Sequence, residues 1–323
     1  MEGRPPDPLS RYQALQVASI LLILLGLVAL AAALTVDAAL LSGGVLPDDR
    51  ARLLPLLVTL AGGGVALVVG LVINAVRAVV VREALPSERY RGPSIVVLVM
   101  LASVMTGVAS ISLGAELSAL LGSGDVSVGG SLLLLTATQL GLLATAGLFV
   151  ATPRALAGAR FLPERGLLRS VALGIGIGIP AWLGAQLLSV LVTSLLGGLG
   201  IEPDLGLAES ALNRAEPWVL VTALVVVAPV AEEIFFRGIA FNAWEREYGT
   251  SRAIYGTAAL FAIIHGSVFA LAPIFLLGLV LALLYRRTRS LPATIALHAT
   301  FNAISVGITL LVRFDILQIP LPT

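Results

Sequence analysis

Long apolar runs separated by short polar loops make up most of the chain. The runs fall at residues 14–36, 54–82, 94–120, 130–152, 169–198, 217–244, 253–268, 270–285 and 291–313. All but the seventh and eighth approach or exceed the roughly 20 residues that a helix needs to cross a bilayer. The pattern predicts an all-α fold, a polytopic transmembrane helical bundle of about eight to nine membrane helices.

The seventh and eighth runs are the ambiguous part of this pattern. They are separated only by a break near Ser267 to Pro273. They could form two short tilted spans, or a hairpin buried within the bundle. We expect nine helices, with eight as the alternative.

Composition agrees with a membrane protein. Hydrophobic residues make up 58% of the chain and charged residues 12%, whereas soluble domains carry about 25% charged residues. The formal net charge of +1 gives no basic field that would bind nucleic acid. The chain contains no cysteine, which excludes disulfides, thiolate metal ligands and cysteine nucleophiles.

Loop charges predict the orientation of the chain. Arginines cluster before the first run and after the second, fourth, sixth and eighth, whereas the alternate loops are acidic or neutral. Arginine-rich short loops stay in the cytoplasm, so the N-terminus is predicted to be cytoplasmic. The basic residues are all arginine, and with many Ala, Gly, Leu and Val this composition is typical of a GC-rich bacterial genome. We therefore expect a multi-pass protein of a bacterial inner membrane.

A few ionisable and amide side chains lie inside the apolar runs, where such groups are expensive and mark functional sites by default. At 1.5 Å per helical residue, Glu232 lies about 18 Å from the predicted cytoplasmic side and His265 about 20 Å. His298 and Asn302 lie about 12 and 18 Å deep on the same count. Three separate helices thus place polar groups in one layer, which predicts a site within the membrane.

Helical spacing separates the two adjacent glutamates. Glu233 and Arg237 are four residues apart on one face, in the favourable order for an ion pair that would neutralise a buried arginine. Glu232 is rotated from Glu233 by about 100° and can face elsewhere. We assign the chemistry to Glu232 and a supporting role to Glu233 and Arg237, although the sequence alone could exchange them. Phe261, one turn before His265, is interpreted as packing.

These groups are the parts needed to hydrolyse an amide. A carboxylate and a histidine, Glu232 and His265, can hold and deprotonate a water. His298 and the Asn302 amide can donate hydrogen bonds to a developing oxyanion. A metal version is the alternative, because Glu232, His265 and His298 form a ligand set seen in hydrolytic zinc sites, with a fourth position left for water.

Three short motifs in consecutive apolar runs resemble those of a known family. The matching residues are Glu232, Glu233 and Arg237 for EExxxR, Phe261 and His265 for FxxxH, and His298 and Asn302 for HxxxN. The chain resembles the CPBP family of CAAX-processing and bacteriocin-processing intramembrane proteases, also called the ABI or type II CAAX endopeptidase family. The resemblance covers roughly residues 169–313. Residues 169–323 are therefore predicted to form the protease core, and residues 1–168 a four-span region of unknown role.

The resemblance implies a membrane-embedded endopeptidase that cleaves peptide bonds near the cytoplasmic leaflet. In the family, the residues matching Glu232 and His265 are taken to activate water, and those matching His298 and Asn302 to form the oxyanion site. Members are commonly labelled metalloproteases, yet a metal-free glutamate mechanism is also proposed, so a divalent cofactor such as zinc stays open. The implied partners are a peptide or membrane-protein substrate and the lipid bilayer.

Two other classes of function compete with this interpretation. A non-enzymatic membrane scaffold or bacteriocin self-immunity protein could use the polar cluster for structure or for binding a peptide. A transporter is less favoured. A transporter would have broken helices at corresponding positions in two pseudo-symmetric halves. The break between the seventh and eighth runs has no such counterpart elsewhere in the sequence.

Overall fold

A computed structural model describes residues 13–42, 50–84, 90, 92–112, 128–150, 166–201, 215–265 and 267–317. Within these ranges the regular structure is entirely helical. The helices are α1 (Gln13–Ser42), α2 (Arg50–Ala84), α3 (Ile95–Ser112), α4 (Val128–Val150), α5 (Leu167–Gly198), α6 (Pro217–Tyr248), α7 (Thr250–Ile263), α8 (Val268–Thr288) and α9 (Leu291–Arg313). The prediction of an all-α, polytopic helical bundle is confirmed, and each apolar run contains one helix.

Length distinguishes the helices that could cross a bilayer. Among the described residues, α5, α6, α8 and α9 are long and apolar enough to do so. Helix α7 has 14 residues and reaches about 21 Å, short of the roughly 30 Å hydrocarbon core. The break before α8 is narrower than expected, because the Ser267 hydroxyl caps α8 by accepting from the Ala270 N–H, and Pro273 lies inside that helix.

The chain divides into two compact units, residues 1–86 with 93–97, and residues 87–92 with 98–323. In the first unit α1 packs along α2 at close range. A Cβ atom at Gly26 would lie 2.7 Å from the Gly63 carbonyl oxygen, closer than real Cβ atoms approach. This division describes packing, and the boundary drawn at residue 168 from the motifs stays a prediction.

Close packing of α5 on α9 organises the second unit. A Cβ atom at Gly174 would lie 2.2 Å from the Ala293 carbonyl oxygen, whereas a Cβ atom at Gly176 would meet nothing within 4 Å. Only a residue without a side chain lets the two backbones approach this closely. The glycine therefore fixes where α9, the helix of His298, lies against α5.

Helix α6 is widened at two places that flank its glutamates. Residues Val221–Val227 and Ile234–Ala240 are π-helical, and the turn between them, Ala228–Glu233, is α-helical. Pro229 is the second residue after the first wide segment, and it lacks the N–H that would continue the regular ladder. Wide turns of this kind are frequent at functional sites.

Polar contacts join α6 to the connection between α8 and α9. The Arg289 guanidinium donates to both carboxylate oxygens of Glu245, at 2.9 and 2.7 Å, and to the Asn242 side-chain oxygen at 3.1 Å. Arg289 itself adopts a left-handed conformation, with φ of 48°. The start of α9 is thereby held against the end of α6.

We predict that Gly174→Ala destabilises the protein and Gly176→Ala does not. The added methyl at residue 174 must displace the α9 backbone, and overpacking of this kind costs about 1–3 kcal/mol. At residue 176 the methyl enters open space, and alanine is the better helix former by about 1 kcal/mol. Thermal unfolding midpoints of the two variants in detergent measure the difference. Equal midpoints would contradict the close contact between α5 and α9.

Candidate active site

A buried ion pair lies at the centre of the second unit. Glu233 Oε1 lies 2.8 Å from Arg237 Nη1, and both side chains are fully buried. The guanidinium also donates to the Gly278 carbonyl of α8 at 3.2 Å and lies over the Phe261 ring, 4.8 Å from its centroid. The spacing of four residues on α6 thus gives the arginine its counter-charge, while α7 and α8 enclose it.

His298 lies between the two glutamates. Its Nδ1 is 3.1 Å from Glu233 Oε1 and its Nε2 is 3.9 Å from Glu232 Oε2. A carboxylate only accepts hydrogen bonds, so Nδ1–H donates to Glu233. The separation between Nε2 and Glu232 is too long for a direct hydrogen bond, and a distance of this kind suits a bridging water.

Glu232 has a partner that the motifs do not contain. Gln139 of α4 donates from Nε2 to Glu232 Oε1 at 3.0 Å. Glu232 is 6% exposed and Gln139 is 8% exposed. Gln139 is not among the residues predicted from the sequence, because those were identified by ionisable side chains and motif spacing. The available signal was a long amide side chain within the apolar run 130–152.

Phe261 links the two imidazoles. Its ring centroid lies 4.9 Å from that of His265 and 5.6 Å from that of His298. His265 lies just beyond the end of α7 and is exposed, and its Nδ1–H donates to the Phe261 carbonyl at 2.6 Å. The other ring nitrogen, Nε2, is therefore left as the acceptor. Phe261 is fully buried, which agrees with its interpretation as packing.

Asn302 contacts the wide part of α6. Its Nδ2 donates to the Leu224 carbonyl at 2.7 Å, within the first π-helical segment. An amide nitrogen has two hydrogens, so one N–H remains for another acceptor. The side chain is part-buried and lies one turn after His298 on α9.

The structure brings most of the predicted residues together. Glu232, Glu233, Arg237 and His298 form one connected polar group. His265 does not contact this group directly, but both its ring and that of His298 pack against Phe261. Asn302 instead bonds to the α6 backbone at Leu224. The catalytic roles assigned to these residues from the sequence stay predictions.

A cavity of about 420 Å³ lies beside this group. Its walls come from α3, α4, α6 and the α7 region, and they are mainly apolar. The lining residues are Val99, Ala102, Ser103, Thr106, Gly107, Thr138, Leu142, Phe235, Phe236, Leu260 and Ile264. Phe236 is one of these wall residues, and the Arg237 guanidinium lies over its ring, 5.7 Å from the centroid, so the cavity adjoins the polar group there.

The donor groups do not form a metal site in this arrangement. Among the residues described, no three or more His, Asp or Glu side chains are grouped so that they could hold one ion. His298 directs Nδ1 at Glu233, and His265 lies exposed at a helix end. The three residues named from the sequence as ligands, Glu232, His265 and His298, therefore do not fit a metal here, and the cofactor stays an untested prediction.

Residues 214–304 match one family model, described as type II CAAX prenyl endopeptidase Rce1-like. This segment belongs to the CAAX-protease family. It contains all seven motif residues and covers under a third of the 323 positions. No curated protein and no solved structure matches the chain. The matched segment therefore carries the whole polar group, whereas Gln139 lies outside it, and the family is one of membrane peptidases.

We predict that Arg237→Met lowers the free energy of unfolding by about 3–5 kcal/mol, because it leaves the Glu233 carboxylate buried without its counter-charge. Arg289→Met is the matched control, since the side chains of Arg289 and Glu245 are 28% and 23% exposed. A pair of that kind contributes about 1 kcal/mol or less. Denaturant titration of both variants in detergent measures the two losses. A loss for Arg237→Met no larger than that for Arg289→Met would contradict the structural role of the buried pair.

Proposed function

We propose that this chain is an intramembrane endopeptidase that hydrolyses peptide bonds near the cytoplasmic leaflet of a bacterial inner membrane. The observation that carries the proposal is the buried Glu232 carboxylate, 3.9 Å from the His298 imidazole. Both residues lie in the segment that matches the CAAX-protease family. A carboxylate beside an imidazole and a neighbouring amide is a suitable set of groups for hydrolysing an amide bond.

In the proposed reaction Glu232 is the general base and acid. It takes a proton from a water as the oxygen adds to the scissile carbonyl carbon, and it later gives that proton to the leaving amine nitrogen. His265 Nε2, an acceptor near the group, helps to hold the water. A peptide bond is thereby exchanged for a carboxyl group and an amine.

His298 and Asn302 stabilise the oxyanion of the tetrahedral intermediate. The Asn302 amide has one N–H remaining beyond its bond to the Leu224 carbonyl. His298 already donates from Nδ1 to Glu233, so it serves as a second oxyanion donor only as the imidazolium, through Nε2–H. Removing one donor of this kind typically costs about 10²–10³-fold in kcat.

The proposed substrate is a polypeptide with an apolar group close to the scissile bond. The matched family model is described as a type II CAAX prenyl endopeptidase, and the apolar cavity of about 420 Å³ adjoins the polar group. An isoprenoid or a large aliphatic side chain would gain free energy by leaving water for such a cavity.

We predict that Glu232→Gln lowers kcat for a CAAX-type peptide by at least about 10²-fold, the lower end of what acid–base catalysis contributes. The change keeps the side-chain volume and removes the base. His265→Ala and His298→Ala are expected to lose turnover as well. Glu245→Gln, a change in the partly exposed ion pair with Arg289, serves as the control and should turn over like the unaltered protein.

The measurement is cleavage of a quenched fluorescent peptide by the full chain in liposomes. Retained turnover in all three site variants would overturn the residue assignment. A protein that cleaves no peptide, while its biological effect survives Glu232→Gln, would favour the scaffold or self-immunity alternative.

We further predict that turnover needs no bound metal, since the donor groups are not arranged to hold one ion. Purified, active protein should contain well under one equivalent of zinc and keep its rate after dialysis against a chelator. Stoichiometric metal that is lost in Glu232→Gln, together with inhibition by the chelator, would contradict this expectation and support the metalloprotease alternative.

A further inference from the structure

Among the described residues, Gln139 makes the one hydrogen bond to Glu232 that comes from outside the family segment. It lies on α4, 93 positions before its partner, and the family match begins at residue 214. Its Nε2 donates to Glu232 Oε1 at 3.0 Å, and only 8% of the side chain is exposed. With this distance and burial, the hydrogen bond is part of the packed interior and not a contact between mobile surface side chains.

The contact assigns different surroundings to the two oxygens of Glu232. Oε1 is held by the amide, while Oε2 faces His298 Nε2 at 3.9 Å. A carboxylate attached at one oxygen cannot rotate freely about its last bond. The oxygen that faces the imidazole is thus kept in the orientation needed to receive a proton from a water lying between them.

The other end of the same amide is unpaired. Gln139 Oε1 is buried, and no described residue donates a hydrogen bond to it. A buried acceptor without a donor costs free energy, and such atoms are rare in folded proteins. At this place the attacking water can supply a donor during the reaction: one of its hydrogens goes to Glu232, and Gln139 Oε1 shares the other with His265 Nε2.

We propose that Gln139 is a positioning residue of the active site, which orients the Glu232 carboxylate through Nε2 and the attacking water through Oε1. The inference rests on the proposed peptidase function. It gives a role to part of the N-terminal region, because α4 contributes both this amide and, through Thr138 and Leu142, a wall of the apolar cavity.

Helix α4 packs directly against α3 close to Gln139. A Cβ atom at Gly141 would lie 2.4 Å from the Thr106 hydroxyl oxygen, so α4 and α3 are in direct contact there. On the same helix, Thr145 is fully buried and donates to the Gly141 carbonyl at 2.8 Å. Thr145 therefore offers a buried polar side chain whose recorded bond stays within α4.

The test compares Gln139→Met with Thr145→Val in the full chain, with the quenched CAAX-type peptide as substrate. Gln139→Met keeps the length of the side chain and removes both hydrogen-bonding atoms. We expect kcat to fall by about 10- to 100-fold, as for a misplaced catalytic group, with KM within about 2-fold. Thr145→Val should keep kcat within about 2-fold, and thermal unfolding midpoints should show that both variants are folded.

A second variant keeps the test decisive if Gln139→Met does not fold. Gln139→Asn retains the amide on a side chain one methylene shorter, which does not reach Glu232, and it should show the same loss in kcat. Unchanged kcat in either folded variant, or a rise in KM alone, would overturn the positioning role while leaving the peptidase proposal intact. A wild-type protein that cleaves no peptide would overturn both.

Discussion

The arrangement of the polar group in the second unit depends on one requirement, which is that the buried Arg237 guanidinium has a counter-charge. Arg237 is fully buried, and breaking a buried ion pair costs about 3–5 kcal/mol, a large share of the stability of a typical domain. Glu233 supplies the counter-charge, and the same oxygen of Glu233 also accepts from His298. One carboxylate therefore satisfies the arginine and orients the imidazole, which couples α6 to α9.

This arrangement explains why two adjacent glutamates can serve different purposes. Glu233 faces the arginine and the histidine, and its Oε1 receives both of their hydrogen bonds. Glu232, rotated by about 100° around the helix, meets a neutral amide and lies 3.9 Å from the imidazole. Glu232 Oε2 receives no hydrogen bond from the described side chains, so it can accept one from a water. Glu233 thus holds in place the turn of α6 that also carries Glu232, the proposed catalytic residue.

The fold and the site differ in how far the sequence could predict them. Apolar runs predicted the helices well, because the bilayer sets their length and Ser267 marks the start of α8. The contact from Gln139 to Glu232 joins positions 93 apart, and no periodic pattern encodes which helices become neighbours. The wide turns of α6 were also missed, since hydrophobic periodicity does not distinguish a π-helical segment from an α-helical one.

The two polar contacts between α6 and α9 bear on how Asn302 is interpreted. His298 meets Glu233, and Asn302, further along α9, meets Leu224, earlier on α6. Because the pairs run in opposite order, the helices are antiparallel, and each motif residue of α9 contacts α6 directly. Asn302 therefore has a structural partner in addition to its proposed oxyanion role. Loss of its amide would disturb the π-helical segment as well as the chemistry, so its effect on rate alone cannot measure the oxyanion contribution.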